Sequence, residues 1–198
     1  MFYHLKVWYT WLRRWRCCRG FGVQSPSAYG FIRYVVNEHY PYYAYEELRH
    51  QLAGFSSLEH KYGRLLLRIA NYWQPVAIFC AEQKYFPYLN AGCRTSEISL
   101  LSQESSSFSL SNSAAARKKV IVLDWTEMIN EDLVADLLQL CDADTLLVVL
   151  GLHINKEGKQ AWRKIMEASG TGRTFGLYYA GIAFFDKSLH KQHYEVNF

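Results

Sequence analysis

Long apolar runs are missing from this 198-residue chain. None approaches the roughly 20 residues of a membrane-spanning helix. Four prolines and twelve glycines, without a repeat, exclude a collagenous or fibrous protein. Five cysteines (Cys17, Cys18, Cys80, Cys93 and Cys141) form no regular spacing and no C-x-x-C pair, so neither a disulfide framework nor a zinc site is expected. They read as tolerated or buried thiols of a reducing compartment. Acidic residues are absent from positions 1–20, where Lys6, Arg13, Arg14, Arg16 and Arg19 stand. That segment carries +5, which leaves the remaining residues at −1 against a total of +4. A nucleic-acid binder spreads a basic stripe over its folded face. Nothing beyond residue 20 does so, and no nucleic-acid partner is expected. The start also lacks the order of a secretory signal, since arginines follow the aromatics and no small-residue cleavage site appears. A cytoplasmic location is expected. P-loop, G-x-S-x-G and H-E-x-x-H motifs are absent. His190 and His193 are three apart, but they lack accompanying Cys or Asp ligands, so no metal is expected.

Aromatic residues are plentiful, with 15 Tyr, 11 Phe and 6 Trp. Such side chains bury much area each and favour a substantial core. Trp8, Trp11, Leu12 and Trp15 recur at one helical face. This face predicts a docking surface, on the chain's own helices or in a homodimer, and a membrane surface is the weaker alternative. Ser25 and Pro26 open a helix through Val36 that Pro41 ends. A short helix begins near Tyr42, and another covers residues 58–73 until Pro75.

Val76–Ala81, Lys119–Asp124 and Thr145–Leu150 are continuous apolar runs of strand length, as in a parallel sheet buried on both faces. Glu97–Leu101 is a weaker strand. Helices are predicted from Pro87 to Ala91, from Asn130 or Glu131 through Leu138, and from Gly158 to Ala168. Thr174–Phe185 and His193–Phe198 read as two strands joined by a polar turn. Seven serines within 102–113 predict a mobile surface loop. The pattern gives an α/β protein, with a helical segment and cap over 1–74 and a sheet domain over 75–198.

Ligands of such sheets bind at the carboxyl ends of the strands. Three positions stand there. The turn after the first strand, Glu82 to Pro87, has no glycine to let backbone approach a nucleotide-type cofactor. Asp124 ends a buried strand. It can orient a substrate, water or metal, or it can cap a helix or pair with a base. His153 follows another strand, as a general base, a ligand or a structural ring.

Several segments resemble one family. Residues 19–26 (RGFGVQSP) are similar to the G-x-G-[IV]-H-S-P opening of class I SAM-dependent methyltransferase-like proteins common in Bacteroidetes. Residues 42–47 (YYAYEE) resemble the Y-Y-A-[FY]-E run that follows, and residues 63–75 (GRLLLRIANYWQP) resemble the helix entering the first strand. Residues 178–185 and 191–194 resemble the closing segment, and His153, Ala161 and Trp162 also match. The resemblance implies a Rossmann-like class I methyltransferase-type sheet with an N-terminal helical cap. It offers Gln24, Tyr43 and Glu46 as substrate or crevice candidates. In that family the first strand ends E-x-G-x-x-x-G and cradles SAM. Those three positions are Cys80, Glu82 and Phe86 here, and an acidic pair before the His is Leu150 and Gly151. Residues 82–119 are also too few for the family's next two βα units, so the sheet should be reduced at one edge. These departures predict a degenerate cofactor motif, no bound cofactor, and a non-catalytic binding or scaffold role toward a protein or small-molecule partner. The alternatives are an active SAM-dependent small-molecule methyltransferase with an atypical pocket, with Asp124 and His153 as its candidate catalytic residues, and a binder of another ligand in the same crevice.

Overall fold

A computed structural model describes residues 22–101, 118–125, 131–154, 156–188 and 190–198, together with Trp8, Tyr9, Leu12, Arg14 and the backbone of 103–104 and 107–108. Seven strands form one sheet, in the order β2-β1-β5-β6-β8-β7-β9. They are β1 (Ala77–Cys80), β2 (Glu97–Leu100), β5 (Lys119–Asp124), β6 (Thr145–Leu150), β7 (Arg173–Gly176), β8 (Ala180–Phe184) and β9 (Gln192–Glu195). The short strands β3 (Gln103–Glu104) and β4 (Ser107–Phe108) form a separate antiparallel ladder. The serine-rich stretch is therefore not wholly irregular, although most of it lies outside the described residues.

β2, β1, β5 and β6 run parallel, and β8 is antiparallel to both β6 and β7. The apolar runs alternate between faces, as the period of two requires. Ile78, Cys80, Val120, Val122, Leu146 and Val148 enter one core, and Phe79, Ile121, Leu123, Leu147 and Val149 enter the other. The first core is closed by α1 (Pro26–Phe31), the π-helical turn Ile32–Val36 and α3 (Ser57–Trp73), through Phe31, Ile32, Leu65, Leu66 and Ile69. The second is closed by α5 (Glu131–Leu140) and α6 (Lys156–Glu167), through Val134, Leu137, Trp162 and Ile165. The helical segment thus forms one layer over the sheet. Among the described residues the sheet ends at β2, the edge that the sequence predicted to be reduced.

Local signals set the helix starts. Ser25 Oγ accepts from Ala28 N, with Pro26 at the first position. Ser56 and Glu59 form a reciprocal capping box at the start of α3. α2 (Tyr43–Gln51) and α4 (Phe86–Gly92) pack with α3 through Leu48, Leu67 and Tyr88.

One expectation needs correction. Residues 174–185 are not one strand: they turn at Leu177–Tyr179, where Leu177 N donates to Ala180 O at 2.8 Å. β9 then pairs in parallel with β7, in the register Arg173 to Gln192, and not with its nearer neighbour β8. Of the tryptophan stripe, Trp8 is described and is 62% exposed, whereas Trp11 and Trp15 lie outside the described residues. Arg14 from the same segment reaches the body, donating to Gly176 O at 3.2 Å and to Glu195 Oε1 at 3.3 Å.

Candidate functional site

The carboxyl ends of β1, β5 and β6 bring together Cys80, Asp124 and Leu150. The chain leaves β1 pinned on both sides. Ala81 N donates to Val122 O, and Leu101 N donates to Cys80 O, each at 2.9 Å. The Cys80 thiol donates to Glu82 O at 3.3 Å, and burial pushes its pKa up to about 12. It is a packed, protonated thiol and not a nucleophile.

Residues 83–85 then form a 3₁₀ turn, which seats Tyr85 in the core at 1% exposure. Burial above all raises the Tyr85 pKa, and the nearby Asp124 and Glu59 raise it further. The phenol therefore stays neutral. Its hydroxyl is buried and has no hydrogen-bond partner among the described residues. Asp124 is 8% exposed. Glu82 and Glu59 flank Lys84 Nζ at 3.9 and 3.3 Å. Burial works to lower the Lys84 pKa, but Glu59, Glu82 and Asp124 outweigh it and hold the ammonium charged. Phe86, the third position of the altered motif, begins α4 and packs against the first core.

His153 stands just beyond β6. Its ring stacks on Tyr178 at 5.9 Å and meets Tyr179 edge-on at 4.8 Å. Burial, then Lys159, lowers its pKa, so the imidazole is held neutral. Tyr178 takes a left-handed backbone, with φ +70, to make this corner. The Tyr179 carbonyl accepts from Leu152 N at 3.2 Å and from the Tyr62 hydroxyl at 3.1 Å, which ties α3 to the corner. His193 instead shares a hydrogen bond with Thr174 Oγ1 at 2.9 Å.

Gln24, Tyr43 and Glu46 are all exposed. Gln24 is on the loop entering α1, and Tyr43 and Glu46 share the first turn of α2. Sequence reasoning missed Tyr85, Tyr62 and the Glu59–Lys84 pair. Their roles depend on α3 folding over the turn after β1, and no local spacing reports that.

No protein-family model matches the chain, and no curated protein matches it. Among solved structures, the SAH-bound methyltransferase PaMTH1 of Podospora anserina is similar, with a TM-score of 0.52. The match covers 80% of this chain and 93% of that one, at 13% identity. At that identity the likeness speaks for the fold, and the chain has the Rossmann-like α/β fold of a methyltransferase.

Proposed function

We propose that this chain uses a methyltransferase fold for binding and not for methyl transfer, as a scaffold or recognition module whose cofactor crevice is filled by its own side chains. The observation that carries the reading is the turn after β1. A methyltransferase of this kind needs backbone there that a cofactor can approach, which is why glycine suits it. Here Tyr85 occupies the core beside Asp124, and Lys84 of the same turn pairs with Glu82 and Glu59. These residues do not fit SAM. Glu82 would add a carboxylate close to the amino-acid carboxylate of the cofactor, and like charges in a partly desolvated site repel.

One observation favours retained ligand binding in the same crevice. Among the described residues the buried Tyr85 hydroxyl lacks a partner, and a polar group of an incoming ligand would satisfy it. Titration calorimetry with SAM and with SAH separates the two readings. The expected result is no saturable binding tighter than about 100 μM. Saturable binding of either compound below that value overturns the proposal and favours an active enzyme with an atypical pocket.

A further inference from the structure

A second concavity lies in the helical layer, away from the turn after β1. It is a groove of about 580 Å³ between the end of the π-helical turn, the last turn of α2 and the first half of α3. That volume lies within the roughly 300–1,000 Å³ of small-molecule sites. Its charge is one-sided. Arg49, Lys61, Arg64 and Arg68 line it, with His39 and His60, against Glu38 as the single acidic side chain of the lining. Among the described residues none of the four cations pairs with an Asp or Glu side chain. Four like charges around one groove repel each other in a medium less screening than water, and an anion relieves that repulsion.

The four are not equivalent. Arg68 is committed to the fold, donating to Val35 O at 2.6 Å, to Val36 O at 3.1 Å and to the Tyr45 hydroxyl at 3.1 Å. Lys61 donates to Phe198 O at 2.6 Å and lies over the rings of Phe198 and Tyr179. Arg49 and Arg64 are left for a ligand. Arg49 is exposed and makes no hydrogen bond or ion pair among the described residues. Arg64 lies 5.1 Å from the Tyr45 ring, and its Nε is buried without an acceptor among the described residues. Asn37 Nδ2, in the lining of the same groove, is likewise a buried donor without an acceptor among the described residues. His60 Nδ1 shares a hydrogen bond with the Tyr88 hydroxyl at 2.8 Å, and Glu38 Oε1 accepts from Tyr40 N at 3.1 Å.

The unfilled positions are all donors. Two guanidinium groups and a carboxamide offer more N–H groups than one carboxylate accepts. A phosphoryl group, with three terminal oxygens and nearly two negative charges, matches two arginines. Val36 and Phe198 contribute apolar side chains to the lining, which an organic remainder of the ligand would cover. We propose that this groove binds a small organic phosphate monoester, with its phosphoryl held by Arg49, Arg64 and Asn37. The site does not depend on whether the strand-end crevice takes SAM.

Titration calorimetry of the full chain with phenyl phosphate, at low ionic strength, tests the proposal. The expected dissociation constant is tighter than about 1 mM. Arg49→Gln and Arg64→Gln should each weaken binding about tenfold, and Lys187→Gln, at a remote surface, should leave it unchanged. Arg49 is exposed, so Arg49→Gln tests the site without a risk to folding. Inorganic phosphate should bind more weakly than phenyl phosphate, because it leaves the apolar wall uncovered. Absence of saturable binding, equal affinity of wild type and both arginine variants, or equal affinity for the two probes would overturn the proposal. SAH binding reports on the strand-end crevice alone, so the two readings fail separately.

Discussion

Arg68 shows how a single side chain ties the helical layer together. It sits on α3 at 6% exposure, and its three hydrogen bonds end on Val35, Val36 and Tyr45. The two carbonyls belong to the end of the π-helical turn, where intrahelical donors run out. A charged donor to a buried carbonyl is among the stronger hydrogen bonds, and removing it leaves an acceptor unsatisfied. Arg68→Ala should therefore cost about 3 kcal/mol and lower the melting temperature by about 6–12 °C, as a chain of this size requires. Arg68→Lys retains the charge but not the planar fork, and it should recover less than half of that loss. Scanning calorimetry of the three proteins measures both values. An alanine variant that melts with the wild type would show that water replaces the guanidinium at these carbonyls.

At the scale of elements, the close contact between β8 and α6 is the most sharply defined. Gly181 faces the indole of Trp162, and a Cβ at position 181 would lie 2.6 Å from Trp162 Cζ3. The ring is rigid and buried in the second core, so it must move or α6 must lift. Gly181→Ala should destabilise by about 1–3 kcal/mol through overpacking. Combining it with Trp162→Phe should recover part of that, and urea unfolding followed by tryptophan fluorescence reads both effects. Full additivity of the two changes would mean that they do not share this contact. This contact was not legible in the sequence, whereas the strands around it were. β5 and β6 match their predicted runs end to end, because burial on both faces confines polar residues to the strand ends, at Lys119, Asp124 and Thr145. The turn between β7 and β8 leaves no glycine signal in the sequence, because Tyr178 takes the left-handed position. The parallel pairing of β9 with β7 is non-local, and Gln192, His193 and Glu195 are polar residues of that edge strand, so no pattern in them marks a strand partner. The same distinction holds at the site. Asp124 and His153 follow from where strands end, but the burial of Tyr85 requires α3 to cover it. The cationic groove is also invisible in sequence, since Arg49, Lys61 and Arg64 are interleaved with acids and apolar residues until two helices bring them together.

For the whole molecule, three histidines from separate regions impose one dependence on pH. Burial, as the largest cause, holds His60, His153 and His193 below the ordinary histidine value of 6.5. Arg64 and Arg49 add to the effect at His60, Lys159 adds at His153, and Arg14 adds at His193, where Glu195 opposes it. A histidine whose pKa is lowered on folding is neutral in both states above 6.5. As the pH falls through 6.5 the unfolded chain takes up protons first. Stability is then full above 6.5 and declines until the folded histidines also protonate. Glu59 and Asp142 act in a separate window. Hydrogen bonds from Ser56 lower Glu59 from 4.5; at Asp142, burial opposes, but the Lys119 ammonium prevails and lowers it from 3.8. Their contribution is therefore intact above about pH 4.5 and is lost only on stronger acidification. Melting temperatures measured across the neutral to mildly acidic range should be level above pH 7 and fall by a few degrees between about pH 6.5 and 5.5. Replacing His60, His153 and His193 together with Gln should flatten that segment of the curve, while the lower, carboxylate-controlled fall remains. A melting temperature that rises on acidification through 6.5 would show that these rings gain an acceptor on charging, and it would contradict the environments described for all three.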